Sequence, residues 1–552
     1  MSTDIRQRPE GALFRTYLSA AGVGPDAIQK PLIGVATAAT QVFSEKPDAK
    51  ELGNATATGI EQIGGGIVVR WDTVRSPEMM AFGHAESYSF AWRDQLADLI
   101  ESWTRQQTLD GLVLIGDAQE TLAGMAMAAA RLNIPAVIVT AGSKRWEYVG
   151  GETDTRARKI NDPFQLLTET LYKKQKGVPL AKTEWFKDCL LAKDNHAANA
   201  LDLVLEALGV TLPGMATAPA QAAKRHELAF ESGQRIISLV KTGYTFRRAL
   251  TLNSFTNAIR LNAALGGSLD VAVHLMAIAH EAGINLPLDL FDKIARETPQ
   301  VARLGGVGDK DPHRIEDLDK AGGVWAVLSG FKDTILPSTT VNGKGAMELA
   351  KSSVVKDPQV INHKKPQNKQ SGIGVLRGNI APQGAMFLLN QSPKELLTFR
   401  GPAAVFESEA DATTAVSLGK IKKGTAIVVR GLGPRGGPGI HKLRMLPALL
   451  EIKGLNTAVA VLTDGRLPDA PEGLFISLVS PEAAVRGALA ILRDGDQIEI
   501  DVEKRLIIGR LTDTEMQVRL ARWQAPASGG RRGFLERYSR SVSDVHEGAV
   551  LK

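Results

Sequence analysis

Polar side chains that could take part in chemistry stand in the loop Asp117–Ala123, between an apolar run and an alanine-rich segment. Asp117, Gln119 and Glu120 offer carboxylate and amide groups, which can exchange protons or bind a polar ligand. Glu120 also has a second interpretation, because an acidic side chain favours the positive end of a helix. The loop is therefore predicted to be either a polar site at a helix entrance or simply a helix start.

The residues on both sides of this loop predict a parallel sheet. Leu112–Ile115 and Ala136–Thr140 are apolar runs without alternation, and a segment of helical length joins them. Ligands of such sheets lie at the carboxyl ends of the strands. The strand and helix rhythm also occurs upstream, with strands at Pro31–Thr37 and Ile67–Asp72. The pattern predicts a doubly wound α/β fold with its chemistry at the loop.

Helical patterns dominate the region after Ser143, and they include predicted helices over Ala216–Thr242 and Leu269–Glu281. His274 and His280 of the second helix are six residues apart, which does not place them on one face at metal-ligand spacing. We therefore expect them to be core or surface histidines.

A change of composition divides the chain. The stretch from 353 to 371 is rich in Pro, Asn, Gln and Lys without periodicity, and short β-type runs recur after it. We predict an α/β domain over residues 1–350, a linker over 351–372, and a mostly β, barrel-like domain over 373–552.

Composition limits the classes of protein to which the chain can belong. Its 552 residues carry 66 basic and 60 acidic side chains, a net charge of 66 − 60 = +6, which gives little reason to expect a nucleic-acid partner. Cys189 is the single cysteine, so an intramolecular disulfide is excluded. A run of about 18 apolar residues is missing, and we expect a cytoplasmic protein without a membrane partner.

The stretch Gly431–Gly439, GLGPRGGPG, is a second candidate site. Its backbone N–H groups, among them those of Gly436 and Gly437, could bind an anion, and Arg435 would add positive charge. The alternative is a turn-rich connection between strands.

Several longer segments carry a family resemblance, and they occur in the family's order along nearly the whole chain. They include KPLIGV (Lys30–Val35), DGLVLIG with MAMAAARLNIPA (Asp110–Ala136), EALGVTLPG (Glu206–Gly214), HLMAIAHEAGINLPLDLFDKIARETP (His274–Pro299), GVLRGNIAPQGA (Gly374–Ala385), and FRGPAAVFESEADA, GPRGGPGI, TDGR, SPEAAVRGA and RDGDQIEID between Phe399 and Asp501. On these segments the chain resembles the dihydroxy-acid dehydratase and phosphogluconate dehydratase family, with its sugar-acid dehydratase members.

The resemblance implies an N-terminal α/β domain, a C-terminal β-barrel-like domain, and a homodimer or a dimer of dimers with the site between the domains. Family enzymes remove water from a 2,3-dihydroxy carboxylate and form a 2-keto acid. They use an iron–sulfur cluster held by three cysteines, a Mg²⁺ bound by acidic residues and a modified lysine, and a serine as the base.

The N-terminal family positions carry other residues in this chain. Glu45 stands where the first cluster cysteine is expected, and the tripeptide Ala118–Gln119–Glu120 stands where the family has Cys-Asp-Lys. Ala192 occupies the third cysteine position. Cys189 lies three residues away, and one thiolate cannot hold a cluster that needs three.

The C-terminal family positions differ as well. Lys442 ends the GPGIHK motif where the family has a metal-binding glutamate, and Pro468 stands where the family has its base serine. Glu78 would replace a further metal-binding aspartate only weakly. From the resemblance we therefore expect neither the iron–sulfur cluster nor Mg²⁺, no metal site and no cofactor.

The same exchanges suggest what could remain. If the family fold holds, cationic and imidazole side chains would line the interdomain cleft and suit a carboxylate or phosphate; they are His84, Arg93, His441, Lys442 and Arg466. His196 with Asp194 could form an acid–base pair, or these residues could cap the following helix.

The function predicted from the sequence is that of a dehydratase-family protein whose cluster- and Mg²⁺-dependent dehydration is lost. Its site would be repurposed or non-catalytic, with a small acid as its candidate ligand. Pairing with a true dehydratase is one option for such a protein. The alternative is an active, cluster-free lyase, isomerase or dehydratase that acts on a hydroxy acid, with His196, His441 and Lys442 as its candidate catalytic residues.

Overall fold

The computed structural model describes residues 8–39, 49–74, 83–142, 159–160, 190–191, 200–220, 222–304, 313–468, 472–524 and 532–552. In the N-terminal half the elements are α1 (Gly11–Ala20), β1 (Leu32–Ala39), α2 (Ala49–Gln62), β2 (Ile67–Val74), α3 (Ser89–Gln106), β3 (Gly111–Gly116), α4 (Gln119–Leu132) and β4 (Ala136–Thr140). A 3₁₀ turn, Gly83–Tyr88, precedes α3.

The first sheet is parallel, with the order β2-β1-β3-β4. All six residues of β3 are buried, as the uninterrupted apolar run predicts. Val113 and Ile115 pack in one cluster with α2, whereas Leu112 and Leu114 pack in another with α3 and α4. Helices therefore cover both faces, and the predicted doubly wound fold is confirmed.

Further short strands and helices follow in chain order. They are β5 (Lys159–Ile160), β6 (Leu190–Leu191), α5 (Ala200–Leu208), α6 (Ala223–Thr242), α7 (Leu252–Ala264), α8 (Leu269–Ala282), α9 (Asp289–Glu297), α10 (Ile315–Ala321), α11 (Gly323–Ser329) and α12 (Ala346–Ser352). The helix predicted from Ala216 is wrong in its start, because α6 begins only at Ala223, after turns that contain Pro219.

The C-terminal elements belong to one mixed sheet and the helices around it. They are β7 (Ile373–Leu376), β8 (Gly384–Leu388), β9 (Thr398–Phe406), α13 (Glu409–Ser417), β10 (Ala426–Val429), α14 (Met445–Ile452), β11 (Ala460–Thr463), β12 (Leu474–Ser480), β13 (Gln497–Asp501), β14 (Leu506–Gly509), α15 (Asp513–Arg522) and α16 (Phe534–Ser541).

The strand order of this sheet is β14-β13-β9-β10-β11-β12-β8-β7. Strands β9 to β12 run parallel, and the strands at both ends are antiparallel to their neighbours. The two edges meet where Arg377 pairs with Leu506, with N–H···O distances of 2.9 Å from Arg377 to Arg505 and from Ile507 to Arg377. The sheet is therefore nearly closed, which confirms the barrel-like prediction.

Residues 353–371 contain neither helix nor strand, in agreement with the predicted connector. The domain bounds themselves, 1–350 and 373–552, stay a prediction. In the part of the chain that is described, every helix is too short or too polar to span a membrane.

Candidate functional site

The loop at the carboxyl end of β3 places a carboxylate inside the molecule. Ala118 caps α4, and Glu120 in the first turn is buried. Its Oε1 accepts a hydrogen bond of 2.6 Å from the hydroxyl of Ser89 on α3. The charge of Glu120 also helps to raise the pKa of Arg466, so the loop does lie within electrostatic reach of the C-terminal half. Gln119, the other ligand candidate, begins α4.

Three basic side chains of the C-terminal half meet two carboxylates of the N-terminal half. Asp270 Oδ2 accepts from Lys442 Nζ and from an Arg466 Nη1, both at 3.0 Å. Glu86 Oε1 accepts from the backbone N–H of Lys442 at 3.0 Å and from Arg444 Nη2 at 3.4 Å, and it lies 4.0 Å from Arg466 Nη2. We call Lys442, Arg444 and Arg466 the cation cluster.

The cation cluster keeps Asp270 ionised although the residue is deeply buried. Burial raises the pKa of Asp270, but the charges of Arg466 and Lys442 together outweigh it and hold the pKa below its usual range. Conversely, burial lowers the pKa of Arg466, but the charges of Asp270 and Glu86 outweigh burial and raise this pKa above its usual value. Both residues are therefore charged at neutral pH.

The residues just before Lys442 in the sequence form a close contact between the two halves of the chain. Ser87 Oγ lies 2.8 Å from His441 Nε2. Gly439 has φ +86° and lies so close to the 3₁₀ turn that a Cβ would be 2.2 Å from the Ser87 carbonyl oxygen. This contact positions His441 and Lys442, and it permits only glycine at 439.

The N–H groups of the glycine-rich loop have acceptors within the protein. Asp464 accepts from Gly431 at 3.0 Å, from Leu432 at 2.9 Å and from Ala483 at 2.9 Å. Burial raises the pKa of Asp464, and the three hydrogen bonds oppose that effect. The first turn of the loop is thus fixed by an internal carboxylate.

A second internal carboxylate fixes the middle of the loop. Glu482 accepts from the N–H groups of Arg435 at 2.8 Å and Gly436 at 2.9 Å, and burial raises its pKa to about 8. The Gly437 N–H donates to Gly433 at 3.0 Å, and the Arg435 Nε donates to Val542 at 2.9 Å. These bonds favour the turn-rich connection over an anion-binding loop, and the role of Arg435, Gly436 and Gly437 in ligand binding stays a prediction.

An aromatic ring joins the cation cluster to α8. The guanidinium of Arg466 lies 4.6 Å from the ring centre of Phe90, and that of Arg93 lies 5.2 Å from it. The imidazole of His274 is stacked parallel to the same ring, 4.8 Å away at 10°. Arg93 is not a free cation of the site, because it is bonded to Asp94 and to two carbonyl oxygens near the end of the chain.

The structure thus brings together Lys442, Arg466, His441 and, more loosely, Glu120. Asp270, Glu86 and Arg444 were missed by sequence reasoning, whereas His274, expected to be a core or surface histidine, is fully buried. A signal existed for Asp270, because it is a charged residue of an otherwise apolar helix, four residues before His274. His84 lies in the 3₁₀ turn, but its side chain is not described. Glu45, Glu78, Cys189, Ala192, Asp194 and His196 fall outside the described residues.

Comparisons with known proteins agree over almost the entire chain. Residues 30–349 match the family described as dihydroxy-acid/6-phosphogluconate dehydratase N-terminal, and residues 359–549 match its C-terminal counterpart. A dihydroxy-acid dehydratase of Thermodesulfovibrio yellowstonii is 38% identical over 559 residues, which cover 100% of both chains. Proteins of the same name from Syntrophotalea carbinolica and Endomicrobium trichonymphae are each 37% identical over 556 residues, covering 100% of this chain and 99% and 100% of theirs.

These relatives correct one expectation. We expected neither the iron–sulfur cluster nor Mg²⁺, yet the matched family normally uses both, and relatives at 37–38% identity are named as its enzymes. The expectation of no cofactor is therefore wrong as a general statement about this chain and is withdrawn.

The described side chains still do not fit the family's Mg²⁺ position at residue 442. The ammonium of Lys442 is bonded to Asp270 there, and a cation cannot ligate a divalent metal. Within the described residues, His, Cys, Asp and Glu side chains form no group of three that could hold a metal ion.

Proposed function

Because the chain belongs to the dihydroxy-acid/6-phosphogluconate dehydratase family, we propose that it is a member whose site binds a small carboxylate-bearing molecule and no longer dehydrates it. Family membership gives it the fold of these dehydratases, which are lyases. The rest of the proposal is carried by one observation, the convergence of Lys442, Arg444 and Arg466 on two carboxylates.

The charges of the contacting groups favour an anion. Three cations contact Asp270 and Glu86, so cations outnumber carboxylates by one among the contacting groups, and Glu120 acts on Arg466 more weakly than these two carboxylates do. Arg444 is the most open of the three, with 26% of its side chain exposed, against 16% for Lys442 and 3% for Arg466. A ligand carboxylate beside Arg444 and Lys442 would receive charge-assisted hydrogen bonds, which are about twice as strong as neutral ones.

The loss of dehydration is supported by residue chemistry. Pro468 has no proton to exchange where the family has its base serine, and Cys189 is the single thiol of the chain. Lys442 is committed to Asp270 where the family has a glutamate. A reaction that needs a serine alkoxide and a carboxylate at these positions has neither group.

A thermal-shift screen tests the binding. Sugar acids, branched dihydroxy acids and their keto products are compared with the corresponding uncharged alcohols, because a ligand of the folded state raises the melting temperature. We expect at least one acid to raise Tm and its alcohol analogue to leave Tm unchanged. Equal shifts for acids and alcohols, or none for any acid, would argue against the site.

A second candidate function is a lyase or isomerase that acts on a hydroxy or keto acid. The observation in its favour is the buried, neutral imidazole of His274, which contacts the same Phe90 ring as Arg466. A base that takes the proton next to a carbonyl, with a cation on the enolate oxygen, suffices for enolisation. Exchange of that proton for deuterium in D₂O, followed by NMR, would reveal this activity, and its absence from all keto acids of the screen would exclude it.

We also propose that the chain forms a homodimer or tetramer, as the family resemblance implies, with pairing to a cysteine-bearing homologue as the other option. Light scattering after size exclusion should give a mass of two or four chains. A mass of one chain would contradict this, and a co-purified homologue would favour the mixed assembly.

A further inference from the structure

Two buried polar side chains of α8 have atoms without a hydrogen-bonding partner among the residues that the structure describes. They are His274, at both ring nitrogens, and Asp270, at Oδ1. The two residues are fully or almost fully buried and are four positions apart, so they lie on the same face of the helix. Unsatisfied buried polar atoms are uncommon in native proteins and need an explanation.

These unsatisfied atoms adjoin the cation cluster. The other oxygen of Asp270, Oδ2, is the acceptor for Lys442 and Arg466. His274 and Arg466 contact the same Phe90 ring. The unpartnered atoms therefore mark the inner end of the site described above.

The protonation states define what these atoms can bind. Burial, and then the charge of Arg93, lower the pKa of His274 well below that of a free imidazole. A neutral imidazole has one donor and one acceptor nitrogen, whereas an ionised Asp270 has acceptors only. An O–H group satisfies both residues, because it can donate to the carboxylate and accept from the ring N–H. A second carboxylate would be repelled by the negative charge of Asp270. An apolar group would leave the atoms without a hydrogen-bonding partner.

We propose that Asp270 Oδ1 and His274 hold an O–H group, which belongs either to an ordered water or to the hydroxyl of a bound acid. Only the second source rests on the proposed function. His274 is then a binding residue and not a packing residue of the core.

The first arm of the test uses ligand-free protein and the substitution His274→Phe. If nothing occupied the imidazole nitrogens, an apolar ring of similar shape would be neutral or stabilising. With an O–H held there, His274→Phe removes its partner and lowers Tm by about 1–3 °C. His280→Phe is the matched control, since His280 lies on the same helix but its ring is exposed to solvent. This control should leave Tm nearly unchanged.

The second arm compares lactate with propionate, which differ by one hydroxyl. If the O–H is that of the ligand, wild type is stabilised more by lactate, His274→Phe responds equally to both acids, and the Tm of ligand-free His274→Phe is unchanged. His274→Gln, which keeps a donor and an acceptor, should retain the preference even if the Phe variant does not fold.

The outcomes separate the two proposals. If neither acid shifts wild type but ligand-free His274→Phe melts lower, the carboxylate site fails and the O–H site stands with water as its occupant. The O–H proposal is overturned if His274→Phe melts at or above wild type and lactate has no advantage over propionate.

Discussion

At the scale of single residues, the site depends on Lys442, which carries a positive charge to Asp270 over a separation of 172 residues in sequence. The ammonium is paired with the Asp270 carboxylate, while Arg444 pairs with Glu86. This arrangement explains why a lysine is stable at a position that resembles a metal-binding glutamate of the family.

Replacing Lys442 by Met should weaken the binding of the best acid from the screen at least about tenfold, because a charge-assisted hydrogen bond is lost. Asp270 keeps Arg466, so the protein should still fold. Titration calorimetry measures the change. Lys504→Met is the control, since Lys504 pairs with Asp501 on the exposed surface. An unchanged Kd for Lys442→Met would remove the cation cluster from the ligand site.

The buried carboxyl of Glu482 predicts a pH dependence of stability. Its pKa is about 8 in the folded protein, raised chiefly by burial, and lies above the unfolded value near 4.5. The contribution of protonated Glu482 to the free energy of unfolding is therefore fully present below about pH 4.5 and is lost as pH rises through about 8. Glu482→Gln mimics the protonated form, so this variant should keep that contribution to stability as the pH rises. Between pH 5 and 8 the free energy of unfolding of wild type should fall relative to Glu482→Gln, by on the order of 3 kcal/mol.

Urea unfolding at pH 5, 6.5 and 8 measures this difference. Glu499→Gln serves as the control, because a hydrogen bond from Arg510 lowers the pKa of Glu499, so this carboxylate stays ionised from pH 5 to 8 and should not show such a trend. Parallel pH profiles for wild type and Glu482→Gln would mean that Glu482 is ionised throughout, held so by the N–H groups of the glycine-rich loop.

At the scale of elements, the chain was most predictable where the local pattern agrees with the final environment. The predicted bounds of strands β3 and β4 agree with the structure to within one residue. Short uninterrupted apolar runs are typical of strands that are buried on both faces. Strand β8, GAMFL, was missed, since it is short, begins with glycine and is paired only through β7 and β12. The predicted helix start at Ala216 was wrong because it did not take Pro219 into account, and the helix begins only at Ala223.

The site was less predictable than the fold for a physical reason. Lys442 and Arg466 stood out by comparison with the family motifs. Their partners Glu86 and Asp270 did not, because these contacts join segments 172 to 356 residues apart and arise only after the two halves dock. The two interpretations of the glycine-rich loop stayed open in the sequence for the same reason, since Asp464 and Glu482, which accept hydrogen bonds from its N–H groups, lie elsewhere in the chain.

The docking of the 3₁₀ turn on the glycine-rich loop gives a prediction at this scale. Gly439→Ala would place a Cβ 2.2 Å from the Ser87 carbonyl oxygen, in a backbone conformation with φ +86°. Gly424→Ala has a similar φ of +79° but nothing within 4 Å, so it measures the conformational cost alone. We expect about 1 kcal/mol of destabilisation for Gly424→Ala and at least about 2 kcal/mol more for Gly439→Ala.

Chemical denaturation of both variants checks this difference. Equal losses of stability would show that the turn around Ser87 is not held against Gly439 in solution.

At the scale of the whole molecule, two layers meet around the cation cluster. The first turn of α4 contributes Glu120 and α8 contributes Asp270, while the nearly closed C-terminal sheet contributes Lys442 and Arg466 through the loops after β10 and β11. A molecule bound at the proposed site would contact both halves and would therefore stabilise the fold. The family scaffold is retained, and the proposed change of function rests on the charges placed between its halves.

The most direct test of this account is one NMR experiment with a branched 2,3-dihydroxy carboxylate, using protein purified without oxygen and with its iron and sulfide content measured. Saturation of the protein signals reports binding, and the methyl signals of the acid report conversion in the same tube. The account predicts saturation transfer to the acid, with its signals undiminished over hours and no keto acid formed. Methyl signals of the 2-keto acid that grow over many turnovers would contradict it.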